Sequence, residues 1–264
     1  MPTFKITVAY DGGPFLGWQR QAGGTSVQGL IEDALRDLDS REVTLHGAGR
    51  TDAGVHAIGQ VASFALVRDD ITPEVIVRSL NAKLPPEIRV REAEPAPAAF
   101  HARFSARSKR YRYRILNAAV LDPFERAYAW HVFGALDLLA MAEAARYVEG
   151  RHDFAAFETA GAGGPTERVI TCSTVIGPGT GGDHKGYDAG LVTYEIEGNG
   201  FLRHIVRAIV GTLMEVGRGR KPPEWMRDVI ASRDRAQAGR NAPAHGLFLV
   251  SVDYGVVQFN PDVA

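Results

Sequence analysis

A single cysteine, Cys172, stands in a chain of 264 residues. One thiol excludes an internal disulfide and any multi-cysteine metal site. No apolar run reaches the roughly eighteen residues that a membrane-spanning helix needs. The Gly-Lys-Ser/Thr end of a phosphate-binding P-loop is absent as well. His46, His56, His101 and His204 lack metal-ligand spacing and read as hydrogen-bonding or surface residues, so no metal is expected. The opening Met1-Pro2-Thr3-Phe4-Lys5 enters a strand-like pattern without the features of a secretory signal, which makes the cytoplasm the expected compartment.

The chain is 45% hydrophobic, enough to bury a core as one large domain or two smaller packed ones. Its formal charge is −1, which at first argues against a polyanionic partner. Binding depends on local charge, however. From Pro95 to Leu121 the sequence carries Arg103, Arg107, Lys109, Arg110, Arg112 and Arg114 and no acid, while Glu32, Asp33, Asp37 and Asp39 sit together on a predicted helix. This basic segment is either a phosphate-binding face or a solvated charge run.

Phe4, Ile6, Val8 and Tyr10 alternate as in a half-buried strand. Thr25 and Gln28 have capping-box spacing ahead of a helical stripe of Val27, Leu30, Ile31, Ala34, Leu35 and Leu38. Strands are predicted over 42–46, 58–66 and 88–93, with a helix over 73–83 between the last two. Glu94-Pro95-Ala96-Pro97-Ala98 breaks the pattern and is the expected boundary. The same order then recurs: a strand over 109–116, a helix over 137–149, strands near 168–176 and 191–197, helices over 202–216 and 223–232, and a last strand over 247–254. Glycine-rich connections lie at Gly161–Pro165 and Gly177–Gly190. The expected class is α+β, as two ferredoxin-like β-α-β-β-α-β halves with their sheets side by side and a central cleft. The expected organisation is an N-terminal half over 1–94, a linker and basic segment over 95–108, and a C-terminal half over 109–264.

Gly47-Ala48-Gly49-Arg50-Thr51-Asp52-Ala53-Gly54-Val55-His56-Ala57 is the most unusual stretch. Three glycines surround an Arg-Thr-Asp triplet between two predicted strands, permitting tight turns and close approach of a ligand. The spacing is not that of a dinucleotide-binding fingerprint. By itself, a Gly-flanked carboxylate is more often a structural turn than a reactive group.

The stretch from Gly49 to Ala57 resembles the catalytic-loop signature of the tRNA pseudouridine synthase A (TruA) family. Phe100-His101-Ala102-Arg103-Phe104-Ser105-Ala106 is similar to the family's segment after the linker, and Lys109-Arg110-Tyr111-Arg112-Tyr113-Arg114-Ile115 to its tyrosine strand. Gly200-Phe201-Leu202-Arg203-His204-Ile205-Val206-Arg207 resembles its arginine helix, and His245-Gly246-Leu247-Phe248-Leu249 its last strand.

The resemblance implies an isomerase that detaches uracil from its ribose, turns the base and reattaches it through carbon 5, without a cofactor. It places Asp52 as the catalytic carboxylate and Arg207 as its cationic partner. Arg207 falls at the edge of the helical stripe of Leu202, Ile205, Val206, Ile209, Val210 and Leu213. Tyr111 matches the tyrosine set against the target base, where its ring can stack and its hydroxyl can assist proton transfer. Tyr113 reads as core. Leu247 matches an apolar residue lining the uracil pocket. Arg50, two residues from Asp52, is a candidate for engaging the backbone or holding the extruded nucleotide, and Arg110, Arg112 and Arg203 for phosphate contact. The implied substrate is the tRNA anticodon stem-loop at uridines 38, 39 and 40, and the implied assembly is a homodimer. Two other readings stand beside this one: a non-catalytic structured-RNA-binding protein of the same fold, and a hydrolase pairing Asp52 with His56.

Overall fold

A computed structural model describes residues 1–159, 164–179 and 190–255; the glycine-rich connections expected at Gly161–Pro165 and Gly177–Gly190 lie largely outside them. The architecture is mixed α+β, with five α-helices among the described residues. The chain divides into two compact units, Met1–Lys109 with the chain from Leu249 onward, and Arg110–Phe248.

The first unit begins with β1 (Thr3–Tyr10), whose alternation buries Phe4, Ile6, Val8 and Tyr10. Next come α1 (Val27–Asp39), β2 (His46–Gly47), β3 (His56–Ala65), α2 (Pro73–Lys83) and β4 (Ile88–Ala96). Most of β10 (Leu247–Asp253) also belongs here, and the strand order is β4-β1-β3-β10 with β2 paired to β3. Antiparallel register sets Phe4 opposite Phe64 and Ile6 opposite Ala62, so β1 and β3 share one apolar face.

Helix α1 starts from Ser26, whose hydroxyl accepts from Gly29 N–H, and not from Thr25. Gln28 does not complete a capping box; its amide donates instead to the Leu45 carbonyl at 2.9 Å and to Glu32. Pro73 opens α2 behind a Thr72 cap, as its fixed φ allows. The strand predicted over 42–46 is reduced to His46–Gly47. Glu94-Pro95-Ala96 continues β4 instead of breaking it. Proline is tolerated there because β4 is the edge strand. After β4, Ala102 donates to Ser63 Oγ at 3.0 Å and accepts from the Tyr254 hydroxyl at 2.7 Å, which packs the 100–106 segment and the chain end against β3.

The second unit takes up β5 (Ser108–Asn117) from Arg110 and continues with β6 (Trp130–Val132), α3 (Leu138–Arg146) and β7 (Gly150–Asp153). Then come β8 (Glu167–Ile176), β9 (Leu191–Gly198), α4 (Ile205–Gly217) and α5 (Trp225–Ser232). Its strand order is β5-β9-β8-β7, with β6 parallel to β5. The short strands β6 and β7 had no readable alternation in the sequence. Helix α4 begins at Ile205, three residues later than expected, because His204 adopts a left-handed φ of 66°. Gly211 lets the backbone of Gly239 and Arg240 lie directly on α4, and Gly239 N–H donates to Thr212 Oγ1 at 2.9 Å.

Candidate active site

The backbone around Asp52 is held from several elements of the first unit. Gly47 packs its Cα against the Trp18 indole, where a Cβ would sit 2.4 Å from Nε1. The Gly49 carbonyl accepts from the buried Gln60 amide at 2.8 Å. Thr51 shares a 2.8 Å hydrogen bond with the Tyr10 hydroxyl, and its carbonyl accepts from Trp18 N–H at 3.1 Å. Burial pushes the Tyr10 phenol well above the ordinary tyrosine range, against the pull of Thr51 and Gln60, so Tyr10 stays a neutral bracing group. Asp52 O accepts from Val55 N–H in a turn that Gly54 completes at a φ of 76°. With its backbone pinned, Asp52 keeps a partly exposed side chain.

His56 closes the loop from inside the core, 1% exposed. Its Nδ1 lies 3.0 Å from both Gly12 N and Asp11 Oδ1. A bare Nδ1 accepts from Gly12 and a protonated one faces Asp11; it cannot do both. This anchoring role gives no support to an Asp52–His56 acid–base pair. Arg50 lies on the exposed side of the same loop, its Nε donating to Gln19 Oε1 at 3.0 Å.

In the second unit Tyr111 is buried on β5 and meets Phe201 edge-on, with ring centroids 4.9 Å apart. Tyr113 is fully buried, as expected of core. Its hydroxyl donates to the Pro243 carbonyl at 2.8 Å. Burial pushes that phenol far up, and nearby Arg207 acts in the opposite sense. Arg207 stands in the first turn of α4 and is clamped twice by one residue. Its Nε donates to Ala242 O at 2.7 Å, and Ala242 N–H donates to Arg207 O at 2.9 Å. Gly246, just before the buried Leu247, places its Cα against the Tyr113 ring. Tyr113 thus ties Arg207, Pro243 and the approach to Leu247 together. Arg203 is exposed in the turn before α4, not on the helix itself.

The basic strand is not a bare cationic face. Arg110 and Arg112 pair with Glu197 at 2.7 Å and Glu195 at 2.6 Å, both on β9, and Arg114 pairs with Glu125 at 3.0 Å. The arginines remain partly exposed, but carboxylates offset much of their charge. The acids are more than eighty positions distant along the chain for the first two pairs, so a reading of the local segment missed them. Tyr10, Trp18 and Gln60 were missed as loop braces for the same reason. Phe201 was within a quoted motif, and its aromatic character was the one available signal.

The family model described as tRNA pseudouridine synthase matches residues 6–105 and 144–255. A tRNA pseudouridine synthase A of Moorella thermoacetica is 44% identical over 259 residues, covering 96% of this chain and 100% of that protein. The proteins of the same name from Myxococcus xanthus and Geobacter sulfurreducens are each 42% identical; both alignments cover 96% of this chain, with 92% and 100% of the respective relatives. The loop around Asp52 and most of the second unit lie inside the matched regions, and the chain belongs to the tRNA pseudouridine synthase family, a family of isomerases.

Proposed function

We propose that this protein isomerises uridine to pseudouridine in the tRNA anticodon stem-loop, at positions 38, 39 and 40, with Asp52 as catalytic carboxylate and no cofactor. The observation that carries the reading is the Asp52 loop. Gly47, Gly49, Thr51, Val55 and His56 are all anchored, and the one carboxylate among them stays partly exposed. Anchoring of this kind preorganises a reactive group, so that little reordering is needed when substrate arrives.

The reaction breaks the bond between N1 and C1′, rotates the uracil, forms the bond from C1′ to C5 and moves the C5 proton off the ring while N1 gains one. Atoms balance without an oxidant or a second substrate. The ionised Asp52 supports the step at the base or the sugar, and Arg207 is the cation that the resemblance assigns to the reaction. Tyr111 stacks on the uracil and its hydroxyl assists proton movement at C5, while Leu247 provides an apolar wall. Arg50 holds the extruded nucleotide; Arg110, Arg112 and Arg203 meet phosphates. Flipping the base out requires roughly a few kcal/mol, which backbone contacts supply.

The same reading takes the protein to be a cytoplasmic homodimer of ferredoxin-like halves. Support for the first half comes from its β-α-β-β-α-β order, with β2 and β1 both on β3 and β4 on β1. No helix among the described residues is long and apolar enough to cross a membrane. Incubating the protein with unmodified tRNA and mapping pseudouridines tests the activity, the substrate and the positions together. Conversion confined to 38–40 is expected; no conversion in any tRNA would remove the proposal.

A further inference from the structure

Apart from the residues assigned to uridine, the second unit carries a groove of about 790 Å³. One side is the end of α4 and the connection into α5; the other is the segment from Ala236 to Pro243. Arg218, Arg220, Lys221 and Arg240 line it against one carboxylate, Glu215. Glu215 lies 3.2 Å from Arg220 and 4.0 Å from Arg218, so it cannot neutralise all four. Arg218 also complements the carbonyl end of α4. Lys221 and Arg240, beyond that helix, have no such duty.

Two indoles share the lining. Lys221 Nζ sits 5.2 Å from the Trp225 ring centroid, and the Arg218 guanidinium 6.0 Å from that of Trp130. Both tryptophans are only partly buried. Cations tracking a groove beside aromatic planes are the combination that holds a phosphodiester backbone and stacks a base without reading its sequence. The volume suits a nucleotide segment better than a lone phosphate ion.

We infer that this groove is a second RNA-binding site, which holds backbone and one stacked base of the substrate tRNA away from the target uridine. The inference rests on the reading of the protein as a tRNA-modifying enzyme. It adds a contact surface that none of the catalytic-loop, tyrosine-strand or arginine-helix motifs contains. The groove's own segment also carries Ala242, which clamps Arg207, so the docking surface and an assigned site residue share one stretch of backbone.

The test is the double variant Arg220→Glu/Lys221→Glu, at two exposed positions, assayed for pseudouridine formation and for tRNA binding across a salt series. The variant should raise KM for tRNA about tenfold and lower the salt slope by about two, while kcat at saturating tRNA moves less than about twofold. The milder Arg220→Gln/Lys221→Gln pair should give a smaller change of the same sign, which separates lost charge from lost folding. Wild-type KM and salt slope in both variants, with turnover intact, would overturn the groove. If the unaltered protein bound tRNA but made no pseudouridine, the enzymatic reading would fail, and the binding series alone would still decide the groove. Trp225→Phe should diminish the fluorescence quenching caused by tRNA. Quenching by uridine monophosphate but not by tRNA would also overturn the proposal.

Discussion

Gly17 has a φ of 99°, and a Cβ built there would lie 2.5 Å from the Thr51 carbonyl oxygen. Alanine at this position must both enter left-handed backbone and push the Asp52 loop away. Gly17→Ala is therefore expected to destabilise the protein by more than about 1 kcal/mol and to lower kcat together with Tm. Thermal melts and steady-state rates on the same preparation check this, and wild-type values of both would mean the loop tolerates displacement. Nearby, His101 stacks on His46 at 4.6 Å, and desolvation, followed by the charge of His46, holds its imidazole below the ordinary histidine range. Because the unfolded chain takes this proton more readily, stability falls as pH drops from the ordinary histidine pKa towards the depressed one. An NMR titration should place the His101 midpoint below that of an exposed histidine; a midpoint at or above it would contradict the assignment. At this scale the tight turn at Asp52 was legible because its glycines stand within a few positions, while the role proposed for Asp52 came from the family resemblance. The Tyr10 and Trp18 braces were not, since hydrogen bonds across thirty or more positions leave no local period, and the Gln60 bond to Gly49 follows none either.

Helix α4 illustrates how an element carries a side chain to its place. Periodicity found its stripe, but the positive φ of His204 delays its start and moves Arg203 into a turn. Arg207 then depends on a segment far along the chain, through Ala242 and the neighbouring Pro243 carbonyl held by Tyr113. Tyr113→Phe leaves that carbonyl without its partner and should cost about 1–2 kcal/mol of stability. It should also lower kcat more than it raises KM, because Arg207 loses orientation, not affinity; an unchanged kcat would show the clamp to be purely structural. Strand β5 teaches the opposite lesson. Its alternation of tyrosine and arginine was readable, whereas the Glu195 and Glu197 partners across the ladder were not. Arg110→Ala/Arg112→Ala should weaken tRNA binding, but with a salt-slope change of less than about two, since each arginine already shares its charge. Glu195→Gln/Glu197→Gln should strengthen binding. No change in either variant would mean that these arginines serve the ladder alone.

Across the whole molecule, the elements with a long amphipathic period were the ones the sequence made legible. Helix α2 runs over the predicted residues, and β1, β8 and β9 fall within one or two residues of expectation. The short pieces β2, β6 and β7 were not legible in this way, because two to four residues cannot establish a period. Nor could local pattern show that the chain from Leu249 onward belongs with the first unit, since that depends on long-range pairing with β3. The family motifs pointed to single residues, and the structure added the hydrogen bonds that hold Arg207, Arg50 and the Asp52 backbone. The central claim is that Asp52 carries the chemistry, and single-turnover pseudouridine formation by Asp52→Asn, measured beside tRNA affinity, tests it most directly. The account predicts no detectable pseudouridine with affinity within about threefold of the unaltered protein, because one neutralised carboxylate removes a reacting group and little binding surface. Substantial turnover by Asp52→Asn would contradict it.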